Sequence, residues 1–199
     1  MLQCRVTRRK QPTIPTPHPA PRTPGIPMTT TAETPVNTKT APRRAVHYHC
    51  FNCLKADLDR LQRAHDAATL TTTGNWTPAQ NLWHCAKFME CSLDGFPSAA
   101  PAPVRWIAAL LFKRNAVKTD KPVPAGFKLP KEAAYLLPPE DITFDDAMSY
   151  LRNTIARVDA GERFTHPSPL LGHLTHDEWT TLHLKHCMLH LSFLHTGEA

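Results

Sequence analysis

The sequence predicts an all-α fold, a bundle of four main helices with an accessory helix and one long crossover. Three observations lead there. Apolar residues recur at three- and four-residue spacing in successive segments. Three of those segments open on a Thr followed three residues later by Gln, Asp or Glu, the pattern of a capped helix start. No alternating strand pattern of useful length and no internal repeat interrupts them.

The first helix is read from "NCLKADLDRLQRAHDAATL", where Leu54, Leu58, Leu61 and His65 fall on one face and "TTTGN" ends the pattern. The second opens with Thr77 as N-cap, Pro78 in the first turn and Gln80 closing a capping box. Gly95 and Pro97 stop it near residue 94. Leu82, Ala86, Met89 and Leu93 form its buried stripe. His84 lies about 200° from Leu82 at ~100° per residue, on a separate inner stripe with Gln80, Phe88 and Cys91, while Lys87 and Glu90 face water. Residues 103–115, "PVRWIAALLFKRN", predict a shorter, mostly buried accessory helix. Residues 118–141 hold five prolines and predict the crossover. The next helix starts at the Thr143–Asp146 pair and buries Ala147, Leu151, Ile155 and Val158. "HPSPLLGHL" is a turn-rich link. Thr175 and Glu178 repeat the capping box, and the last helix runs to about His195.

Charge and proline are concentrated in the first 44 residues. Residues 1–44 hold eight Lys/Arg and one acid, so they carry +7, and the rest carries −1, which together give the net +6. Nine of the 20 prolines lie before residue 43. Residues 1–42 therefore predict a disordered Pro/Thr/Arg-rich tail, with residues 43–197 as the folded domain. The near-neutral domain argues against a nucleic-acid partner. "TRRK" is not followed by an apolar export region, and no run of about 18 apolar residues predicts a membrane span, so the expected location is cytoplasmic. Met28 offers an alternative start of the chain. The six cysteines are then expected to be reduced, and "CFNC" at residues 50–53 is one C-x-x-C, a weak zinc or redox signal by itself.

The chemistry-bearing stretch is "WTTLHLKHCMLHLSFL", residues 179–194. His186 and His190 stand one turn apart on the same face, and His183 lies within about 60° of them. Trp179, Leu182 and Phe193 share that stripe, so the histidines point toward the core. Two histidines at i and i+4 can reach one divalent ion. His84 is the one histidine in the middle of another long helix and completes a candidate site, with His183 in place of one of the three left open.

Taken together, "GNWTPAQNLWHCAKFMECSLDGFP" and "FTHPSPLLGHLTHDEWTTLHLKHCMLHLSFL" resemble the DinB-like superfamily of metal-binding four-helix bundles, and within it the domain-of-unknown-function family numbered 1569. The likeness rests on Trp76-Thr77, Gln80, His84, Asp94 to Pro97, His166-Pro167, Gly172, Leu174 and His186…His190-Leu191, and it covers residues 43–197. It implies that His84, His186 and His190 are the ligands of a divalent ion (zinc, nickel or iron), with Gln80, Asp94 and His183 as candidates for supporting roles around them. It also implies homodimerisation. Three imidazoles leave positions on the ion for water or substrate, and some DinB-like proteins are similar to transferases and isomerases that activate a low-molecular-weight thiol on the metal. The expected function is thus a metal-dependent thiol transferase or related small-molecule enzyme. The alternatives are a non-catalytic binding protein in which the metal, if any, stabilises the bundle, and a metal-free bundle with core histidines.

Overall fold

The computed structural model describes residues 35–118, 123–126 and 129–197. The tail expected over residues 1–42 lies outside the described residues as far as residue 34. From Pro35 onward the chain is part of one compact unit. Val36 exchanges two hydrogen bonds with the Asn75 side chain, and the Thr73 hydroxyl donates to the Pro42 carbonyl. The boundary expected at residue 42 falls inside this docked stretch.

The described chain is mostly helical: α1 (Phe51–Asp66), α2 (Pro78–Asp94), α3 (Ala102–Val117), α4 (Phe144–Asp159) and α5 (His176–Leu191), with a 3-10 turn at Lys131–Leu136 in the crossover. A two-residue strand β1 (Thr71–Thr72) pairs antiparallel with β2 (Leu194–His195), Thr71 opposite His195. Helix α2 packs on both α4 and α5, α1 reaches the same two helices, and α3 leans on α5. One buried apolar cluster draws on α1, α2, α4 and α5, with Leu54, Leu58, Leu82, Met89, Leu151, Ile155, Trp179 and Leu191 sealed from solvent. Each such side chain contributes about 1.5–3 kcal/mol by leaving water.

The helix starts follow the sequence closely. Thr77 with Gln80 and Thr175 with Glu178 form complete capping boxes. Thr143 accepts from the Asp146 amide, but its hydroxyl donates to the Asp146 carboxylate, so α4 has a cap and not a full box. Gly95 ends α2 at φ 110°, a conformation that favours glycine, and a Cβ there would lie 3.4 Å from the His166 ring.

A buried clasp joins the chain before α1 to the end of α5. The Arg44 guanidinium donates to both Asp57 carboxylate oxygens at 2.5 and 2.7 Å, and the Tyr48 hydroxyl donates to the same carboxylate at 2.6 Å. The Arg44 Nε donates to the Leu194 carbonyl, and its backbone amide to the Ser192 carbonyl. A carboxylate enclosed by three donors offsets the cost of its own burial.

Several expectations are corrected. Helix α3 is as long as its neighbours and is not buried: Ala108 and Val117 alone are sealed, while Trp106 and Leu110 are each 70% exposed and Val104, Ile107, Leu111 and Phe112 are also open. Arg105, Ala109, Lys113 and Ala116 are half-buried, and α3 meets α5, whose Lys185 donates to the Asn115 carbonyl. Lys113 donates to the His173 carbonyl and pairs with Glu178. An apolar run reads as buried whether or not a neighbour covers it. His65 is exposed and stacks on Phe144, and Ala64 takes the buried place at the end of the α1 face. Val158 of α4 is only partly buried. Lys87 and Glu90 do not simply face water: they pair at 2.6 Å, and the Tyr150 hydroxyl donates to Glu90. Among the described residues no helix is long and apolar enough to cross a membrane.

The burial contrast is testable by urea denaturation. Leu58→Ala is expected to cost about 2–5 kcal/mol of stability, whereas Leu110→Ser stays within about 0.5 kcal/mol of the parent. A Leu110→Ser loss as large as that of Leu58→Ala contradicts the open face of α3.

Candidate metal centre

Helix α2 carries His84 at its middle, and α5 carries His186 and His190 one turn apart. Because α2 and α5 pack together, the three rings meet: centroids lie 5.0 Å apart for His84 and His186, 4.6 Å for His84 and His190, and 4.5 Å for His186 and His190. Each offers one nitrogen such that all three lie within 4.8 Å of one another. Two nitrogens on one ion, each about 2.1 Å from it, are at most about 4.2 Å apart, so small ring rotations complete the approach. The three imidazoles can hold a metal ion.

The hydrogen bonds around the rings decide which nitrogens are free. His84 is buried, and its Nδ1 lies 2.7 Å from the Leu136 carbonyl at the end of the 3-10 turn. A carbonyl only accepts, so Nδ1 carries the hydrogen and the lone pair of the neutral ring is on Nε2. His190 Nδ1 faces the Asn81 Oδ1 at 3.4 Å. The Asn81 amide nitrogen donates to the Trp76 and Thr77 carbonyls, which turns the oxygen toward His190 and makes that Nδ1 the donor. His186 Nδ1 is buried with no hydrogen-bond partner among the described residues. A buried imidazole nitrogen of that kind is costly unless something binds it.

Aromatic rings close the surroundings. Trp76 stacks on His190 and leans on His84, and Phe88 packs on His186. His186 and His190 keep part of their surface open to solvent. Burial pushes the His84 pKa down, opposed by the bond to Leu136. Burial, and then the neighbouring histidines, hold His186 and His190 well below the usual imidazole range. All three are therefore neutral near pH 7, the form that ligates.

The other candidates are placed elsewhere. His183 stacks nearly parallel on Trp179, with ring centroids 5.0 Å apart, and its Nε2 lies 2.7 Å from the Ser92 hydroxyl. That hydroxyl donates to the Met89 carbonyl, so it accepts from His183. Gln80 is engaged in the α2 capping box and reaches the Pro139 carbonyl. Asp94 holds Arg157 through two bonds on the surface. Sequence reasoning missed Leu136 and Asn81. A backbone carbonyl leaves no residue-type signal, and Asn81 next to Gln80 reads as an ordinary helix residue.

His183 makes a pH dependence explicit. Burial, and next the charge of His176, lower its pKa to about 3 from a usual 6.5. Above about pH 6.5 neither the folded nor the unfolded state binds this proton. Below that the unfolded chain takes it and the fold does not, so stability is lost as pH falls from about 6.5 toward 3. In metal-stripped protein, His183→Gln is expected to flatten the stability slope between pH 5 and 6.5 by up to about 1.4 kcal/mol per pH unit, measured by urea denaturation. An unchanged slope contradicts this assignment.

The family described as "Protein of unknown function (DUF1569)" matches residues 40–196. No curated protein and no solved structure matches the chain. The matched stretch contains all three clustered histidines, the capping boxes of α2 and α5 and the Gly95 stop, and the chain belongs to the DUF1569 family.

Proposed function

We propose that the protein binds one divalent ion through His84, His186 and His190, and that the ion serves a reaction on a small molecule, a transfer involving a low-molecular-weight thiol. The observation that carries the metal reading is the convergence of three neutral imidazoles, of which His84 has its remote nitrogen held by a carbonyl at 2.7 Å and His186 has a buried nitrogen without a partner among the described residues. Remote hydrogen bonds of that kind orient histidine ligands. Imidazoles suit zinc, nickel and iron alike.

Three neutral protein ligands leave the charge of a dication uncompensated and leave positions for an outside molecule. A bound ion there supplies Lewis acidity, which favours the deprotonated form of a thiol or water beside it. The protein's own residues do the rest. Leu136 and Asn81 set the ring orientations, Trp76 and Phe88 pack against the rings, and His186 and His190, which are partly exposed, form the side from which a small molecule would approach. The thiol is suggested by the DinB-like resemblance, and that likeness also underlies a homodimer.

Elemental analysis of protein purified without a His-tag tests the ligand set. Near-stoichiometric zinc, nickel or iron is expected in the parent and in Asp94→Asn, and is expected to be lost in His84→Ala and His186→Ala. Absence of metal from the parent after growth with each ion defeats the proposal. Asn81→Leu is expected to weaken metal affinity by about 10–100-fold in competition with a chromophoric chelator. Calorimetry addresses the substrate class. A small thiol is expected to bind the metal-loaded protein and not the stripped one, and equal binding to both removes the thiol reading.

A further inference from the structure

The C-x-x-C at residues 50–53 takes no part in the centre described above. Cys50 is the N-cap of α1 and Cys53 sits in its first turn. Their sulfur atoms lie 3.4 Å apart, with the Cys53 amide bonded to the Cys50 carbonyl. Cys50 is exposed and Cys53 is half-buried. A cleft of about 300 Å³ has Cys53, His47, Arg44, Asp57 and Arg60 among its lining residues.

We propose that Cys50 and Cys53 form a redox-active dithiol that exchanges with small-molecule disulfides, Cys50 attacking and Cys53 resolving. The asymmetry of exposure sets the roles, since the attacking sulfur has to reach a disulfide in solution and the resolving sulfur has to reach only its neighbour. A disulfide bond is about 2 Å long, so closing the pair from 3.4 Å needs side-chain movement alone.

The other described cysteines do not compete. Cys85, Cys91 and Cys187 are buried. Burial raises the Cys85 thiol well above its usual range and pushes Cys91 up to about 11. Cys50 moves the other way, because the Cys53 amide first, and then the Cys53 thiol, favour its thiolate. A helix start is a setting in which thiolates are favoured.

The chemistry balances in two steps. The Cys50 thiolate attacks one sulfur of R–S–S–R, forming a mixed disulfide and releasing one R–S⁻. Cys53 then loses its proton and attacks the Cys50 sulfur, which breaks the bond to R and releases the second R–S⁻. The two protein thiols are oxidised by two electrons, the small disulfide is reduced to two thiols, and the two protons end on the leaving thiolates.

Intact-mass measurement of the full-length protein treated with glutathione disulfide, with metal-stripped protein run in parallel, tests this. The parent is expected to lose two hydrogens, with one internal bridge in the peptide spanning residues 50–53, and to regain them with dithiothreitol. Cys53→Ser is expected to stop as a stable glutathione adduct on Cys50, and Cys50→Ser to react at least tenfold more slowly. Circular dichroism of both variants is expected to match the parent. A parent that stays reduced, or accumulates the adduct without closing, overturns the proposal, as does a Cys50→Ser protein oxidised as fast as the parent. The result is independent of the metal reading, because the stripped protein is expected to behave in the same way.

Discussion

The centre depends on one hydrogen bond, from His84 Nδ1 to the Leu136 carbonyl. The bond settles where the imidazole proton sits, and so which lone pair faces His186 and His190. It also ties the end of the crossover's 3-10 turn to the middle of α2. In a buried setting a bond of this kind is hard to replace, because loss of the carbonyl leaves a polar nitrogen unpaired at a cost of about 1–3 kcal/mol. The crossover is therefore more than a connection between α3 and α4. Its backbone contributes to the site through the Leu136 carbonyl at the end of the 3-10 segment.

The rest of the site reduces to a shortage of partners. Three imidazoles carry six ring nitrogens. Leu136 engages one, Asn81 engages another at the longer distance of 3.4 Å, and His186 Nδ1 has none among the described residues. A fold that needed only core histidines has a cheaper solution, and the same chain displays it. His183 is fully buried, stacked on Trp179 and bonded to Ser92, whose own proton is already committed to Met89. Two histidines on one helix, three residues apart, thus differ: His183 is sealed from solvent, and His186 is partly exposed with its Nδ1 buried. His183 is satisfied by Ser92, whereas His186 Nδ1 finds no hydrogen-bond partner among the described residues.

Most of the helical framework was legible in the sequence because its signals are local. The capping boxes at Thr77 and Thr175, the Gly95 stop and the leucine face of α1 depend on side chains within a turn of each other. The i, i+4 pair on α5 and the lone mid-helix histidine on α2 were legible for the same reason. What was hidden depends on neighbours far away in the chain. The open face of α3 is set by how little of α5 it meets. The Arg44–Asp57–Tyr48 clasp joins a pre-helix segment to carbonyls 150 positions on. The difference between His183 and His186 rests on Ser92, which periodicity cannot reveal. Asp94 and Gln80 show the reverse hazard: both lie in the quoted motifs, and both are occupied by ordinary structural duties.

That clasp also bears on the cysteine pair. Cys50 occupies an N-cap position without a side-chain cap bond, where Ser, Thr or Asp is usual. A weakly capped helix start frays unless it is held from outside. Here it is held on both sides: Tyr48 and Arg44 fix the residues before Cys50, and Asp57, one turn beyond Cys53, fixes the helix they meet. The segment cannot peel away without breaking a buried carboxylate network. The two sulfurs are therefore kept adjacent by the fold whether or not a bond joins them. Such preorganisation favours closure of a mixed disulfide onto Cys53 over its release to a second small thiol.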